Sequence, residues 1–236
     1  MSTKVEFNKT HLVISIILKT ISLIASVYGL CLMIDSLKSF TFFTTLSNVA
    51  IDIILAVFLV MDIILLATGK NYKNNTLYII KFLMTLSITL TFLVYLVILA
   101  PTSKDGFIGA YMNNGAGSLG VHFVGPVLAI IDFLLFDKGF NVRKIYAIYA
   151  VIPPLCYVAF VYILAAAGMR WDGGMCAPYN FLNYNAVTGW FGWNLSTMGT
   201  YSIGIGVAYM IVVLLLLFIG IGLLYLAING AGRKDK

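Results

Sequence analysis

Long apolar runs separated by short polar connections dominate the chain. They fall at residues 12–34, 43–67, 78–100, 119–136, 145–167 and 203–228, each near the ~17–25 residues that carry an α-helix across a bilayer. Six such runs predict an all-α fold, a polytopic integral membrane protein with six transmembrane helices, and residues 1–236 as a single six-helix transmembrane domain. The first run follows Lys4 and Lys9 as a signal peptide would, but it is too long and lacks a small-residue cleavage pattern. It is expected to stay as an anchor.

Composition strengthens this reading. Of 236 residues, 61% are hydrophobic and 10% charged, whereas a water-soluble domain carries about 25% charged residues. The formal charge of +6 comes from basic residues scattered singly beside the apolar runs, without the basic, aromatic-interleaved face of a nucleic-acid binder. Nucleic acid is therefore not an expected partner; the membrane is. On one side lie Lys4, Lys9, Lys70, Lys73, Lys81, Lys138, Arg143, Lys144, Arg233, Lys234 and Lys236; on the other only Lys38, Lys104 and Arg170. The positive-inside rule then predicts that both termini are cytoplasmic, in a multi-pass protein of the cell membrane. Cys31, Cys156 and Cys176 have no metal-ligand spacing, and with two histidines a zinc site is hard to assemble, so no metal or cofactor is expected. Cys31 and Cys176 both fall near the outer face, where a pairing is conceivable but a disulfide framework is not expected.

Polar residues inside the apolar runs each need a partner or a purpose. In the second run, Thr45, Asn48 and Asp52 fall within ~60° of one another around a helix and form one stripe, which must face the bundle interior. One reading is hydrogen-bonding glue between helices. The other begins with His122 in the fourth run, at about the depth of Thr45. A hydroxyl beside an imidazole is the minimum set for nucleophilic acyl transfer, and equally a plain hydrogen-bonded pair. Asn48 is the nearest candidate donor for an oxyanion. Asp132 lies ~15 Å beyond His122 by helix rise and is expected to be structural, with a partner in the basic connection of Lys138, Arg143 and Lys144. Lys19, Asp35 and Asp62 are expected near helix ends, reaching water or headgroups, with no chemistry. Between the fifth and sixth runs lie Trp171, Trp190 and Trp193, in a segment rich in Tyr, Asn and Gly. It reads either as an aromatic belt at headgroup level or as a lid, with Trp190 and Trp193 touching a substrate.

Three segments resemble a known family. Phe43-Thr44-Thr45-Leu46-Ser47-Asn48, together with His122, Pro126, Asp132, Phe133 and Phe136 in their spacing, is similar to the androgen-induced protein family of six-helix membrane proteins, in its bacterial type. Tyr179-Asn180-Phe181-Leu182-Asn183 resembles that family's aromatic-Phe-Leu-Asp segment, with Asn183 in place of Asp. The resemblance implies a membrane-embedded threonine hydrolase acting on fatty acid esters of hydroxy fatty acids. It carries over as Thr45 for the nucleophile, with Thr44 the alternative register, and His122 for the base. Asn48, Asp52, Trp190 and Trp193 are then the expected substrate-binding residues. A non-enzymatic lipid-binding or transport protein is the competing class, with the polar stripe lining a pathway.

The topology can be checked directly. Single cysteines introduced at positions 234 and 190 are expected to react with a membrane-impermeant thiol reagent from opposite sides.

Overall fold

The structure, a computed structural model, describes residues 8–101, 103, 105–112, 114–137, 140–199 and 201–230. Within them the chain is all-α, and six helical segments are long and apolar enough to cross a membrane: Lys9–Met33, Phe43–Thr68, Asn75–Val97, Gly117–Phe136, Tyr146–Ala166 and Val207–Gly230. It is a multi-pass membrane protein. Lys4, Lys104, Lys138, Arg233, Lys234 and Lys236, on which part of the orientation count rests, lie outside the described residues.

The helices are α1 (Lys9–Met33), α2 (Phe43–Thr68), α3 (Asn75–Val94), the short α4 (Gly106–Met112), a single turn α5 (Gly117–Leu119), α6 (Gly125–Phe136), α7 (Tyr146–Tyr149), α8 (Ile152–Ala166) and α9 (Val207–Gly230). They form two compact units, residues 1–146 with 224–236, and residues 147–223. Two spans contain a π-helical turn. α3 runs on into a π-helical turn at Tyr95–Leu99, and α6 is preceded by another at Gly120–Val124. Each ends just before an X-Pro bond, Ala100-Pro101 and Gly125-Pro126. Proline has no N–H and its ring clashes with the carbonyl four residues back, so the preceding residue reaches back five instead. Ala100 N accordingly donates to Tyr95 O (2.8 Å), and Gly125 N to Gly120 O.

In the first unit α1 packs against α2, the Gly120 turn and α6 with an inverted pattern. Its buried face carries Ser15, Lys19, Ser22, Ser26 and Gly29, while Ile17, Ile21 and Ile24 are exposed. Hydrocarbon gives apolar side chains no reason to hide, so small and polar groups supply the helix contacts. Gly120 sits so close that a Cβ there would strike the carbonyl oxygen of Ala25 on α1. Ser22 Oγ donates to Gly125 O (2.8 Å), fixing the same junction.

At one end of this unit six charges form an alternating chain. Lys73 pairs with Asp62, Asp62 with Lys19 (3.0 Å), Lys19 with Asp132 (2.8 Å), Asp132 with Lys81 (2.5 Å), and Lys81 with Asp137 (2.5 Å). Ser15 adds a hydroxyl to Asp132 (2.6 Å), and the Lys81 ammonium lies over the Phe58 ring, 4.5 Å from its centroid. This corrects three expectations. Lys19 and Asp62 are wholly buried and paired, not reaching water or headgroups. Asp132 takes Lys19 and Lys81 as partners. Lys81 is buried within α3 and ceases to be a topology signal. Asp35 is exposed, as expected, and hydroxyl donation from Ser39 and then Ser36 holds its carboxyl below the usual range.

In the second unit the fifth span is interrupted. Pro153 and Pro154 fall at the start of α8, where missing N–H groups cost nothing, and α7 ends before them. The sixth span starts at Val207 rather than 203, because the preceding residues belong to a stitched loop. Gly206, Val207 and Ala208 donate their N–H groups to Gly192 O (2.8 Å), Gly189 O (3.1 Å) and Trp190 O (3.0 Å), satisfying the N–H groups a helix start leaves without partners. Cys31, Cys156 and Cys176 are free thiols.

Replacing one member of the ion chain strands its neighbours in an apolar interior. Lys81→Met and Asp132→Asn are each expected to cost about 3–5 kcal/mol, while Arg143→Gln, at an exposed position, should stay within ~0.5 kcal/mol. Thermal unfolding in detergent measures the difference.

Candidate functional site

Thr45 is the third residue of α2, in the first turn, where the backbone dipole is positive. From there the buried face of α2 runs through Thr45, Asn48 and Asp52, so the expected stripe does face inward. Ser47 points elsewhere, to Thr91 on α3 (2.8 Å). The neighbour of Asn48 across the gap is the π turn: its Nδ2 donates to Val121 O (3.2 Å), and also to Thr44 O (2.9 Å) one turn back on α2. This amide therefore ties the turn that carries His122 to the helix that carries Thr45.

That engagement bears on the role expected of Asn48. Both amide hydrogens are spent on backbone carbonyls and the residue is fully buried, so it has no N–H left to offer an oxyanion. It is a fastening between elements. Its Oδ1 lies 3.0 Å from the Ser26 hydroxyl of α1, which is also 2.7 Å from Asp52 Oδ2.

His122 is buried, and its ring stacks on Tyr95 from the other π turn, with centroids 3.7 Å apart and planes 10° apart. The Tyr95 hydroxyl is held between Ala110 O and the Ser118 hydroxyl, each at 2.6 Å, so α4 and α5 brace the aromatic partner of the imidazole. Tyr111 packs edge-on against Tyr95 at 5.0 Å. His122 Nδ1 is buried with no hydrogen-bond partner, and so is the Tyr111 hydroxyl. Burial without a partner is costly, which marks both atoms, among the described residues, as unsatisfied groups beside the Tyr95 ring. Among the described residues no hydrogen bond joins the Thr45 hydroxyl to the His122 ring; the link between them runs through Asn48 and Val121. Nor do three His, Cys, Asp or Glu side chains gather among the described residues as a metal would require.

No family model, no characterised protein and no solved structure matches this chain.

The loop of the second unit is ordered by its own contacts. Asn183 accepts from Cys176 N and donates to Tyr201 O, both at 3.0 Å, acting as a staple across the loop. Trp171 is buried, whereas Trp190 and Trp193 are 41% and 67% exposed. Trp190 stacks on Tyr184, at 5.4 Å and 10°, and Trp193 meets Tyr209 edge-on at 6.4 Å.

Sequence reasoning missed Ser26 and Tyr95. The signal for Ser26 was present as Ser15, Lys19, Ser22, Ser26 and Gly29, a stripe of small or polar residues at alternating steps of four and three. Pro101, six residues after Tyr95 as Pro126 is six after Gly120, marked the second π turn.

Asn48→Leu removes both ties to the π turn and to the start of α2. It is expected to lower stability by about 1–3 kcal/mol, whereas an Asn48 that merely faced a substrate would leave detergent melting unchanged when replaced.

Proposed function

We propose that this protein is a membrane-embedded hydrolase of lipid esters, of the fatty acid ester of hydroxy fatty acid type, with both termini cytoplasmic. Thr45 is its nucleophile and His122 its general base, as in the androgen-induced protein family that the Phe43–Asn48 and His122–Phe136 segments resemble. The observation carrying this reading is the buried His122 ring, with Nδ1 unpartnered, on a π turn tied to α2 one turn from Thr45. π turns persist at a cost and are frequent at functional sites.

In the proposed cycle the imidazole takes the Thr45 proton as the hydroxyl oxygen attacks the ester carbonyl, then returns it to the departing alkoxide. Water, activated by the same imidazole, releases the fatty acid and restores Thr45. With the Asn48 amide committed, the positive end of the α2 dipole is the feature that favours negative charge at Thr45.

A second reading, a non-enzymatic lipid-binding or transport protein, is favoured by the ion chain, since ionisable groups buried in membrane spans often mark ion or substrate pathways. The two readings separate in one experiment. Under the hydrolase reading, Thr45→Ala and His122→Ala each lower turnover of lipid esters by about 10²–10⁴-fold while the protein still inserts and purifies, and the double variant is scarcely slower than either single one. A fluorophosphonate then labels the wild type and not Thr45→Ala. Loss with Thr44→Ala instead moves the nucleophile by one residue. Fully active single variants leave the transport reading.

A further inference from the structure

Asp52 is the buried membrane carboxyl that the ion chain does not reach. It is 9% exposed, and among the described residues it enters no ion pair. The titratable groups on the elements packed around it are engaged elsewhere: Lys19 on α1 with Asp62 and Asp132, Lys81 on α3 with Asp132 and Asp137. His122 stacks on Tyr95, whose hydroxyl is held by Ala110 and Ser118.

Counting hydrogens decides its state. Ser26 has a single hydroxyl hydrogen, yet its oxygen lies 2.7 Å from Asp52 Oδ2 and 3.0 Å from Asn48 Oδ1. Asn48 cannot be turned to supply the missing hydrogen. Its Nδ2 serves Thr44 O and Val121 O, and a flip would set its oxygen against both carbonyls. With Asp52 ionised, one of the two Ser26 contacts is oxygen against oxygen with no hydrogen between. With Asp52 protonated, its O–H donates to Ser26, Ser26 donates to Asn48 Oδ1, and Asn48 donates to Val121 O, so every contact holds one hydrogen. The remaining oxygen, Asp52 Oδ1, is buried without a partner. As the carbonyl of a neutral acid that is tolerable; as half of an unpaired carboxylate in an apolar interior it is far more costly.

We propose that Asp52 is a proton-binding site, a neutral carboxylic acid at rest whose proton heads a relay through Ser26 and Asn48 to the π turn carrying His122. Asp52 is a positioning residue: loss of its proton turns it from donor to acceptor, draws the Ser26 hydrogen to itself and leaves Oδ1 of Asn48, the residue that holds the Val121 carbonyl, without its donor. This holds whether or not Thr45 and His122 hydrolyse an ester.

The test is infrared spectroscopy of the purified full-length protein in lipid nanodiscs at neutral pH. The wild type is expected to show the C=O stretch of a protonated carboxyl, lowered on exchange into deuterated water and missing from Asp52→Asn, whose amide N–H can still donate to Ser26. A wild-type spectrum with no such band that Asp52→Asn removes would overturn the proposal. Should Asp52→Asn fail to purify, Ser26→Ala takes its place. It is expected to shift the band, because the acid loses its acceptor, and an unmoved band overturns the proposal equally.

Discussion

A charge buried in hydrocarbon is tolerable only when an opposite charge is already at hand, and this requirement governs the first unit. Lys73, Asp62, Lys19, Asp132, Lys81 and Asp137 alternate in sign along one chain that draws on α1, α2, α3 and the C-terminal end of α6. Every internal member has two partners of opposite sign. The Lys73 and Lys81 ammonium groups also lie over the face of the Phe58 ring on α2, 5.6 and 4.5 Å from its centroid, where the ring quadrupole favours a cation. Once these contacts fix the helices at that end, the stripe of Ser22, Ser26 and Gly29 on α1 can zip along the rest with close backbone approach.

Polarity is thus divided along the bundle. At one end full charges cancel in pairs. Toward the other, Asp52, Asn48, Ser26 and the Val121 carbonyl are joined by hydrogen bonds without a counter-ion, and beyond them lies His122 against Tyr95. The two π turns belong to the same division. Each gives up regular helix geometry beside a proline and presents a ring, Tyr95 or His122, to the other.

The six spans were legible in the sequence because a continuous apolar run states its own length. Their ends were less so: the start of α9 depends on which loop carbonyls receive its first N–H groups, a contact between residues some fifteen apart. The inward stripe of Thr45, Asn48 and Asp52 was legible as helix periodicity, but the partner of each group was not. Whether Asn48 serves a substrate or a backbone carbonyl depends on where Val121 lies, 73 positions away. Lys19 and Asp62 were misread for a related reason. A single charge in an apolar run looks the same whether it reaches outward to water or inward to an opposite charge on a distant helix.

The ion chain also has a meaning in time. A ribosome delivers α1 first, and the partners of Lys19 stand 43 and 113 residues later, at Asp62 and Asp132. Between those moments the ammonium has α2 alone as a counterpart within the bilayer, and before that only what its flexible stem can reach at the interface. Lys81 likewise enters with α3 before Asp132 exists to receive it. The charges on α1 and α3 thus reach their full set of partners only when α6 brings Asp132 to them.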